Sequence, residues 1–190
     1  MSLMVSPNQL TVLRMAFVPI LILMVVYEYL GIAILVFFAA GITDMLDGLI
    51  ARRMGRKTPL GTYLDPIADK LLLVSSFITL SSTSLDLIVR IPLWLTITVI
   101  SRDILLVLSV LVFSLAIGRR QFPPSVLGKY TTACQLFYVM VVLVSNFIGK
   151  PVPLITIVSY VTLALTVASG LHYMSQGMLL IRSESANEEK

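Results

Sequence analysis

Long apolar stretches recur along nearly the whole chain, and they restrict its possible folds more than any other feature. Of the 190 residues, 57% are hydrophobic and 13% are charged, a balance far more apolar than that of a soluble domain. Since a helix needs about 20 apolar residues to cross a bilayer, the length allows about six spans. We therefore predict an all-α polytopic membrane protein with six transmembrane helices, a single domain over 1–182 and a disordered polar tail over 183–190.

The limits of the spans follow from charges and from helix-breaking residues. Pro7 marks the first helix start, Gly31 the first turn, and Thr58-Pro59 a helix cap, because proline is favoured at the first helical position. Pro66 should kink the third helix, or else the regular helix begins there. The six apolar spans are expected at 15–29, 32–51, 71–80, 91–117, 126–147 and 152–181.

Lysine and arginine residues in the segments between the spans indicate how the chain is oriented in the membrane. The loop over 52–57, the Arg119-Arg120 loop and Arg182 would share one side of the membrane, opposite Arg90 and Lys150. The positive-inside rule then places both termini and the aspartate stretch in the cytoplasm. We expect an integral membrane protein, with a bacterial inner membrane as its location. The net charge of +4 suits anionic lipids and an anionic substrate, and we expect no nucleic-acid partner.

Four aspartates at the predicted membrane edge indicate a metal site. Asp44 and Asp47 are three residues apart, and Asp65 and Asp69 are four apart, so each pair shares a helix face. Four clustered carboxylates repel one another unless cations compensate them, and two divalent cations would balance four negative charges. With one cysteine and one histidine in the chain, the ligands must be oxygens, which favours Mg²⁺, Mn²⁺ or Ca²⁺; of these we expect Mg²⁺ or Mn²⁺. The alternative is a solvated helix end.

Small residues accompany the aspartates. Gly48 and Ala51 lie on the stripe of the first pair, Gly61 precedes the second pair, and Arg52 follows the stripe. This arrangement leaves room for a diphosphate ligand near the backbone, which Arg52 could bind with two hydrogen bonds. Close helix packing is the alternative explanation for the small residues.

Two further sites place charge within or beside apolar spans. Arg102 and Asp103 interrupt the fourth span, and Lys129 begins the fifth. Charged residues at membrane depth usually line a polar cavity, although Arg102 and Asp103 could also form a self-contained ion pair. Lys129 could instead anchor its helix at the interface.

The motif D-x-x-D-G-x-x-A-R, eight residues, then G-x-x-x-D-x-x-x-D covers 44–69, and it resembles the signature of the CDP-alcohol phosphotransferase family at all eight positions. The segments NQLTVLR, LDPIADK, SRD and LGKYTTACQ extend the likeness over most of the chain. It looks like the branch that contains phosphatidylglycerophosphate synthases and eukaryotic-type cardiolipin synthases.

The resemblance implies a role for each signature residue. Asp44, Asp47, Asp65 and Asp69 would hold two divalent metals, and Asp69 would also act as general base. Gly48, Ala51, Arg52 and Gly61 would surround the CDP group. The resemblance further implies that the protein forms a homodimer. It also implies a transferase of substituted phosphate groups that uses CDP-diacylglycerol as donor and releases CMP.

The acceptor is left open between two candidates, with glycerol 3-phosphate slightly favoured over phosphatidylglycerol. Arg102 and Lys129 are the expected acceptor-binding residues. The pair Arg102-Asp103 stands where phosphatidylglycerophosphate synthases often carry Arg-Glu, and 104–117 contains no second arginine. Two functions from other classes compete, namely an intramembrane cation transporter and a scaffold with a vestigial site.

Overall fold

The computed structural model describes the backbone of residues 7–54, 59–116 and 126–188, and the side chains of 12–43, 70–109 and 126–175. Within these ranges the chain is helical and contains no strand, which confirms the all-α prediction. The helices are α1 (Pro7–Val26), α2 (Leu30–Met54), α3 (Pro59–Ser81), α4 (Leu93–Ala116), α5 (Val126–Ile148) and α6 (Leu154–Glu188).

Two described segments are long and apolar enough to cross a bilayer, Val126–Ile148 and Leu154–Ser175. Shorter apolar helical segments occur at Val12–Val26, Leu30–Thr43 and Lys70–Ser81. Large apolar side chains such as Leu35 and Ile97 are exposed, whereas Arg102 is buried. This distribution is expected of a surface that faces lipid. Six spans and a cytoplasmic location of both termini stay predictions.

Helix starts follow the prolines. α1 begins at Pro7 and α3 at Pro59, as predicted from the preference of proline for the first turn. α3 continues past Pro66, so the alternative in which the helix begins at Pro66 is wrong. At the other end of the chain, α6 runs to Glu188. The helix therefore includes most of the polar tail for which the sequence predicted disorder.

The first turn differs from the prediction. The chain reverses at Glu28, which has a positive φ of 61°, and Glu28 N donates to Val25 O at 3.1 Å. Gly31, which we expected to form this turn, lies inside α2. A Cβ at Gly31 would stand 3.1 Å from Cε2 of Phe147, so the glycine permits a close approach of that ring instead of a turn.

The chain divides into two compact units, and the first comprises Met1–Ile91 and Val139–Val152. Within it α1 packs against both α2 and α3. Van der Waals packing of apolar side chains supplies the cohesion of helices in such a unit, because lipid is as apolar as the side chains themselves. Its core includes Leu21, Val25, Phe37, Ala40, Leu73, Phe77, Leu80 and Leu143.

The loop between α3 and α4 is tied to the first unit by one side chain. Asn146 Oδ1 accepts a hydrogen bond from Val89 N at 3.0 Å, and Asn146 Nδ2 donates to Val89 O at 2.8 Å. Ile91 N also donates to Leu80 O at 3.0 Å. After Asn146 the helix ends at a turn where Gly149 has a φ of 77°, a conformation that glycine adopts without strain.

The second unit comprises Pro92–Tyr138 and Pro153–Lys190, and α4 packs against α6 within it. Pro92 O accepts bonds from Leu95 N at 3.0 Å and Thr96 N at 3.2 Å, which closes the first turn of α4. Near this end, the rings of Trp94 and Tyr160 stack with centroids 6.4 Å apart.

Candidate functional site

The eight signature residues lie on two helices of the first unit. α2 carries Asp44 and Asp47, and α3 carries Asp65 and Asp69. The helical backbone at these positions confirms that each aspartate pair has the register of a shared helix face. The side chains of the signature, including Gly48, Ala51, Arg52 and Gly61, fall outside the described side chains, so their roles stay predictions.

The donor chemistry of these positions suits a hard divalent cation. Four carboxylates at one-turn spacing on helices offer oxygen ligands, which Mg²⁺ and Mn²⁺ prefer. Elsewhere, the described side chains of 12–43, 70–109 and 126–175 contain no group of three His, Cys, Asp or Glu residues that could hold a metal. The prediction of a metal site therefore concerns the aspartates of α2 and α3.

A buried arginine in α1 belongs to the same unit. Arg14 is 1% exposed, although the sequence suggested no more than an early positive charge. α1 packs against both helices that carry the aspartates. A charged group buried at membrane depth is a functional candidate by default. The sequence did not indicate that Arg14 is buried, because α1 is apolar on all sides and has no polar face from which the position of Arg14 could be predicted.

In the second unit, Arg102 is held by residues of two helices. Its Nη1 donates to Asp103 Oδ1 at 2.8 Å, and its Nη2 donates to Ser169 Oγ at 2.6 Å. The Tyr173 ring lies 5.8 Å from the guanidinium carbon, within cation–π range. Arg102 and Asp103 are 5% and 6% exposed. The ion pair, which the sequence left as the alternative to a role in a polar cavity, is thus present, and it is buried.

The ion pair does not use the whole guanidinium group. Arg102 Nε is buried without a hydrogen-bond partner among the described residues. A buried N–H donor without a partner costs about 1–3 kcal/mol, and an anion with a planar pair of oxygens would satisfy it. Gly170 of α6 lies beside the stem of Arg102, where an added Cβ would make an ordinary van der Waals contact of 3.7 Å with Arg102 Cγ.

Lys129 occupies a different environment from Arg102. It lies in the first turn of α5 and is exposed. Within the described part of the chain, no ion pair joins Lys129 to a carboxylate. Its ammonium group could therefore bind an anion at the helix end or anchor the helix at the interface. The two predicted acceptor residues share a unit, but no described contact joins them.

A line of buried polar side chains connects α5 and α6 with Arg102, and we call it the polar seam. Gln135 Nε2 donates to Thr166 Oγ1 at 3.1 Å, and Thr131 Oγ1 lies 3.1 Å from Leu165 O. The spacing of four and three residues in otherwise apolar spans is a signal that sequence reasoning could have used. The polar seam consists of Arg102, Asp103, Thr131, Gln135, Thr162, Thr166 and Ser169, all buried.

Comparison with known proteins identifies relatives over most of the chain. Residues 4–169 match the family model described as CDP-alcohol phosphatidyltransferase. The chain is 39% identical to the human cardiolipin synthase (CMP-forming) over 146 residues, 76% of this chain and 44% of the human protein. The human and rat cardiolipin synthases that it matches are thus more than twice as long as the matched region.

Two bacterial relatives match over more of their own length. The chain is 34% identical to the probable phosphatidylglycerophosphate synthase of Mycobacterium tuberculosis over 182 residues, 90% of this chain and 80% of that protein. It is 30% identical to the CDP-diacylglycerol--glycerol-3-phosphate 3-phosphatidyltransferase of Bacillus subtilis, over 94% of this chain and 98% of that protein.

Proposed function

Because this chain belongs to the CDP-alcohol phosphatidyltransferase family, we propose that it is a membrane enzyme of phospholipid biosynthesis. It transfers a phosphatidyl group from CDP-diacylglycerol to a glycerol-type acceptor and releases CMP. The observation that carries this proposal is the aspartate signature, complete in sequence and present on two helices that both pack against α1.

Asp44, Asp47, Asp65 and Asp69 are the proposed ligands of two divalent cations, Mg²⁺ or Mn²⁺. When bound, such ions offset the negative charge of a diphosphate and of the departing phosphate group. Gly48, Ala51 and Gly61 supply the space for CDP beside the aspartates, and Arg52 donates hydrogen bonds to the diphosphate. These assignments rest on the residue types, on their helical register and on the family.

The transfer is a substitution at phosphorus. Asp69 accepts the proton of an acceptor hydroxyl. The hydroxyl oxygen forms a bond to the phosphorus that carries diacylglycerol, while the bond from that phosphorus to the bridging oxygen breaks. CMP leaves with the electron pair of the broken bond, and the proton remains on the carboxyl of Asp69 until solvent removes it.

Glycerol 3-phosphate is the acceptor that we favour. The relatives from Mycobacterium tuberculosis and Bacillus subtilis, which match this chain over 80% and 98% of their own length, carry names that specify phosphatidylglycerophosphate and glycerol 3-phosphate. Phosphatidylglycerol is the second candidate, because the human cardiolipin synthase shares 39% identity. Arg102 and Lys129 are the proposed contacts for the phosphate of either acceptor, supported by the burial and the unused Nε of Arg102.

The setting of the reaction follows from the charges of the loops. Cytoplasmic termini and a cytoplasmic site of catalysis are consistent with the positive-inside distribution of lysine and arginine. We also propose a homodimer in a bacterial inner membrane, with the donor arriving from the lipid and a polar acceptor from the aqueous side.

Purified protein in mixed micelles tests this function. CDP-diacylglycerol is supplied with glycerol 3-phosphate, phosphatidylglycerol or inositol phosphate in parallel, and CMP release and the lipid product are measured with Mg²⁺ or Mn²⁺. We expect turnover that requires both the metal and a glycerol-type acceptor. A fall of at least about 100-fold should follow Asp69→Asn, the size expected for loss of a general base.

The alternative of a cation transporter predicts a different outcome. It requires metal flux into liposomes and no CMP release in any acceptor arm. Asp86→Asn is the matched control for the aspartate variant, because Asp86 is exposed in the loop between α3 and α4. Normal turnover of Asp69→Asn would show that Asp69 is not the base.

A further inference from the structure

Gln135 is a member of the polar seam with a buried polar atom that lacks a hydrogen-bond partner among the described residues. Its side chain is 0% exposed, and that atom is Oε1. A buried amide oxygen without a donor costs about 1–3 kcal/mol, a cost that a hydroxyl donor from a polar ligand would remove.

The hydrogen-bond network determines which atom of the amide is left over. Thr166 Oγ1 donates its single hydrogen to Thr162 O at 2.7 Å. The same hydroxyl oxygen, 3.1 Å from the Gln135 amide, must then accept, so the NH₂ group of Gln135 faces Thr166. The carbonyl oxygen of Gln135 is therefore the atom that awaits a donor.

Another unsatisfied atom of the polar seam is a donor and not an acceptor. Arg102 Nε is a donor without a partner, and Arg102 is bonded to Ser169. Thr166 and Ser169 are three residues apart on α6, so their side chains are neighbours on one face, about 5–6 Å apart. Gln135 and Arg102 are thus anchored to adjacent positions of the same helix face.

A ligand that satisfies both groups needs an anionic acceptor and a hydroxyl donor at short separation. Glycerol phosphate has this pattern, since its phosphate and its secondary hydroxyl are separated by one ester oxygen and two carbon atoms. The group occurs both in free glycerol 3-phosphate and in the headgroup of phosphatidylglycerol. The terminal hydroxyl remains available to react.

We infer that Gln135 determines acceptor specificity: its Oε1 accepts a hydrogen bond from the secondary hydroxyl of a glycerol phosphate group whose phosphate accepts one from Arg102 Nε. The inference rests on the proposed function and adds a residue to it. It also gives a reason for a fully buried glutamine in α5, since a membrane helix bears the cost of such a group when a ligand or partner satisfies it.

The test compares acceptors that differ by one hydroxyl. Glycerol 3-phosphate is paired with 3-hydroxypropyl phosphate, and phosphatidylglycerol with phosphatidyl-1,3-propanediol in micelles, so that the two sources of the headgroup are separated. The kcat/KM of the wild-type enzyme should favour the hydroxylated member of the productive pair about tenfold, the value of one hydrogen bond to a buried group. In Gln135→Met the preference should fall to about twofold or less.

Thr96→Val is the matched control. Thr96 is also buried in the second unit and its Oγ1 also has no hydrogen-bond partner among the described residues, yet its variant should keep the wild-type preference. If Gln135→Met does not fold, Gln135→Asn is the substitute, because its side chain is shorter by one methylene and its amide lies further from the ligand. This variant should also show a smaller kcat/KM preference for the hydroxylated acceptor than the wild-type enzyme.

Each result has one meaning. A wild-type enzyme that uses both members of a pair equally overturns the inference and leaves the proposed function intact. A Gln135→Met enzyme that slows with both members and keeps the wild-type ratio also overturns it, because a structural role alone produces that result. Absence of CMP release with every acceptor refutes the proposed function, and the inference with it.

Discussion

The guanidinium of Arg102 on α4 donates a 2.6 Å hydrogen bond to Ser169 Oγ on α6, across 67 residues of sequence. Together with Asp103, this bond fixes the direction in which the rest of the guanidinium points. A rigid arginine binds a phosphate ligand with higher affinity than a mobile one, because the arginine loses less conformational freedom on binding.

Ser169→Ala should therefore weaken acceptor binding without affecting the donor. Loss of one hydrogen bond corresponds to an increase of about three- to tenfold in the KM for the acceptor. The KM for CDP-diacylglycerol should be unchanged. Ser109→Ala is the control on α4, because Ser109 Oγ donates to Leu105 O within its own helix. An equal rise in both KM values would contradict the assigned role.

The ion pair can be tested separately for stability and for function. Arg102→Met leaves the buried Asp103 carboxylate without its guanidinium, and such a loss typically costs about 3–5 kcal/mol. Arg102→Met/Asp103→Leu should recover most of that stability, measured by SDS titration in mixed micelles. Acceptor use should stay low in both variants. If the double variant regains full turnover, Arg102 has a structural role and does not bind the acceptor.

The bonds from Asn146 to Val89 predict a purely structural effect. Asn146→Ala removes both bonds to the loop, at about 1 kcal/mol each, so the free energy of unfolding should fall by about 2 kcal/mol. Ser84→Ala is the control in the same loop, because Ser84 bonds to Ser82 at an exposed position. A decrease no larger than that of the control would show that the bonds contribute little.

Removal of divalent cations should abolish turnover reversibly. Dialysis against a chelator is expected to stop CMP release, and addition of Mg²⁺ or Mn²⁺ should restore it, since the proposed ligands are carboxylates. Asp47→Asn should raise the metal concentration needed for half-maximal activity, whereas Asp86→Asn should leave it unchanged. Full activity in the chelated sample would exclude the metal site.

Cysteine labelling checks the orientation. In a Cys134→Ala background, Ser84→Cys should react with an impermeant maleimide in intact cells, because its loop is predicted to face away from the cytoplasm. Lys57→Cys should react only after the membrane is permeabilised. The reverse pattern would invert the predicted topology, and equal labelling of both would place the two loops on one side.

The sequence predicts helices well and buried polar contacts poorly. Pro59 signals the start of α3 because its ring restricts φ and needs no hydrogen-bond donor. Gly31 misleads, since a glycine also permits the approach of a distant ring, here that of Phe147. Long-range packing of this kind has no local signature in the sequence.

The residues of the candidate site also fall into those that the sequence predicts and those that only the structure shows. The aspartates are recognisable because their spacing matches the period of a helix. Gln135 is a candidate because of its hydrogen bond to Thr166, which lies 31 residues away. Arg14 is a candidate because it is buried. Both depend on how helices are arranged, which hydrophobic periodicity does not specify in a membrane protein whose helices are apolar on most sides.

The pairing of Val89 with Asn146 has a consequence for the order of biosynthesis. The two residues are 57 positions apart, so the loop after α3 leaves the ribosome well before its partner exists. Until α5 has been made and inserted, the peptide groups of Val89 can bond to water or to a chaperone, but not to Asn146. A truncated nascent chain that ends before α5 should therefore expose this loop to protease, and one that extends past Asn146 should protect it.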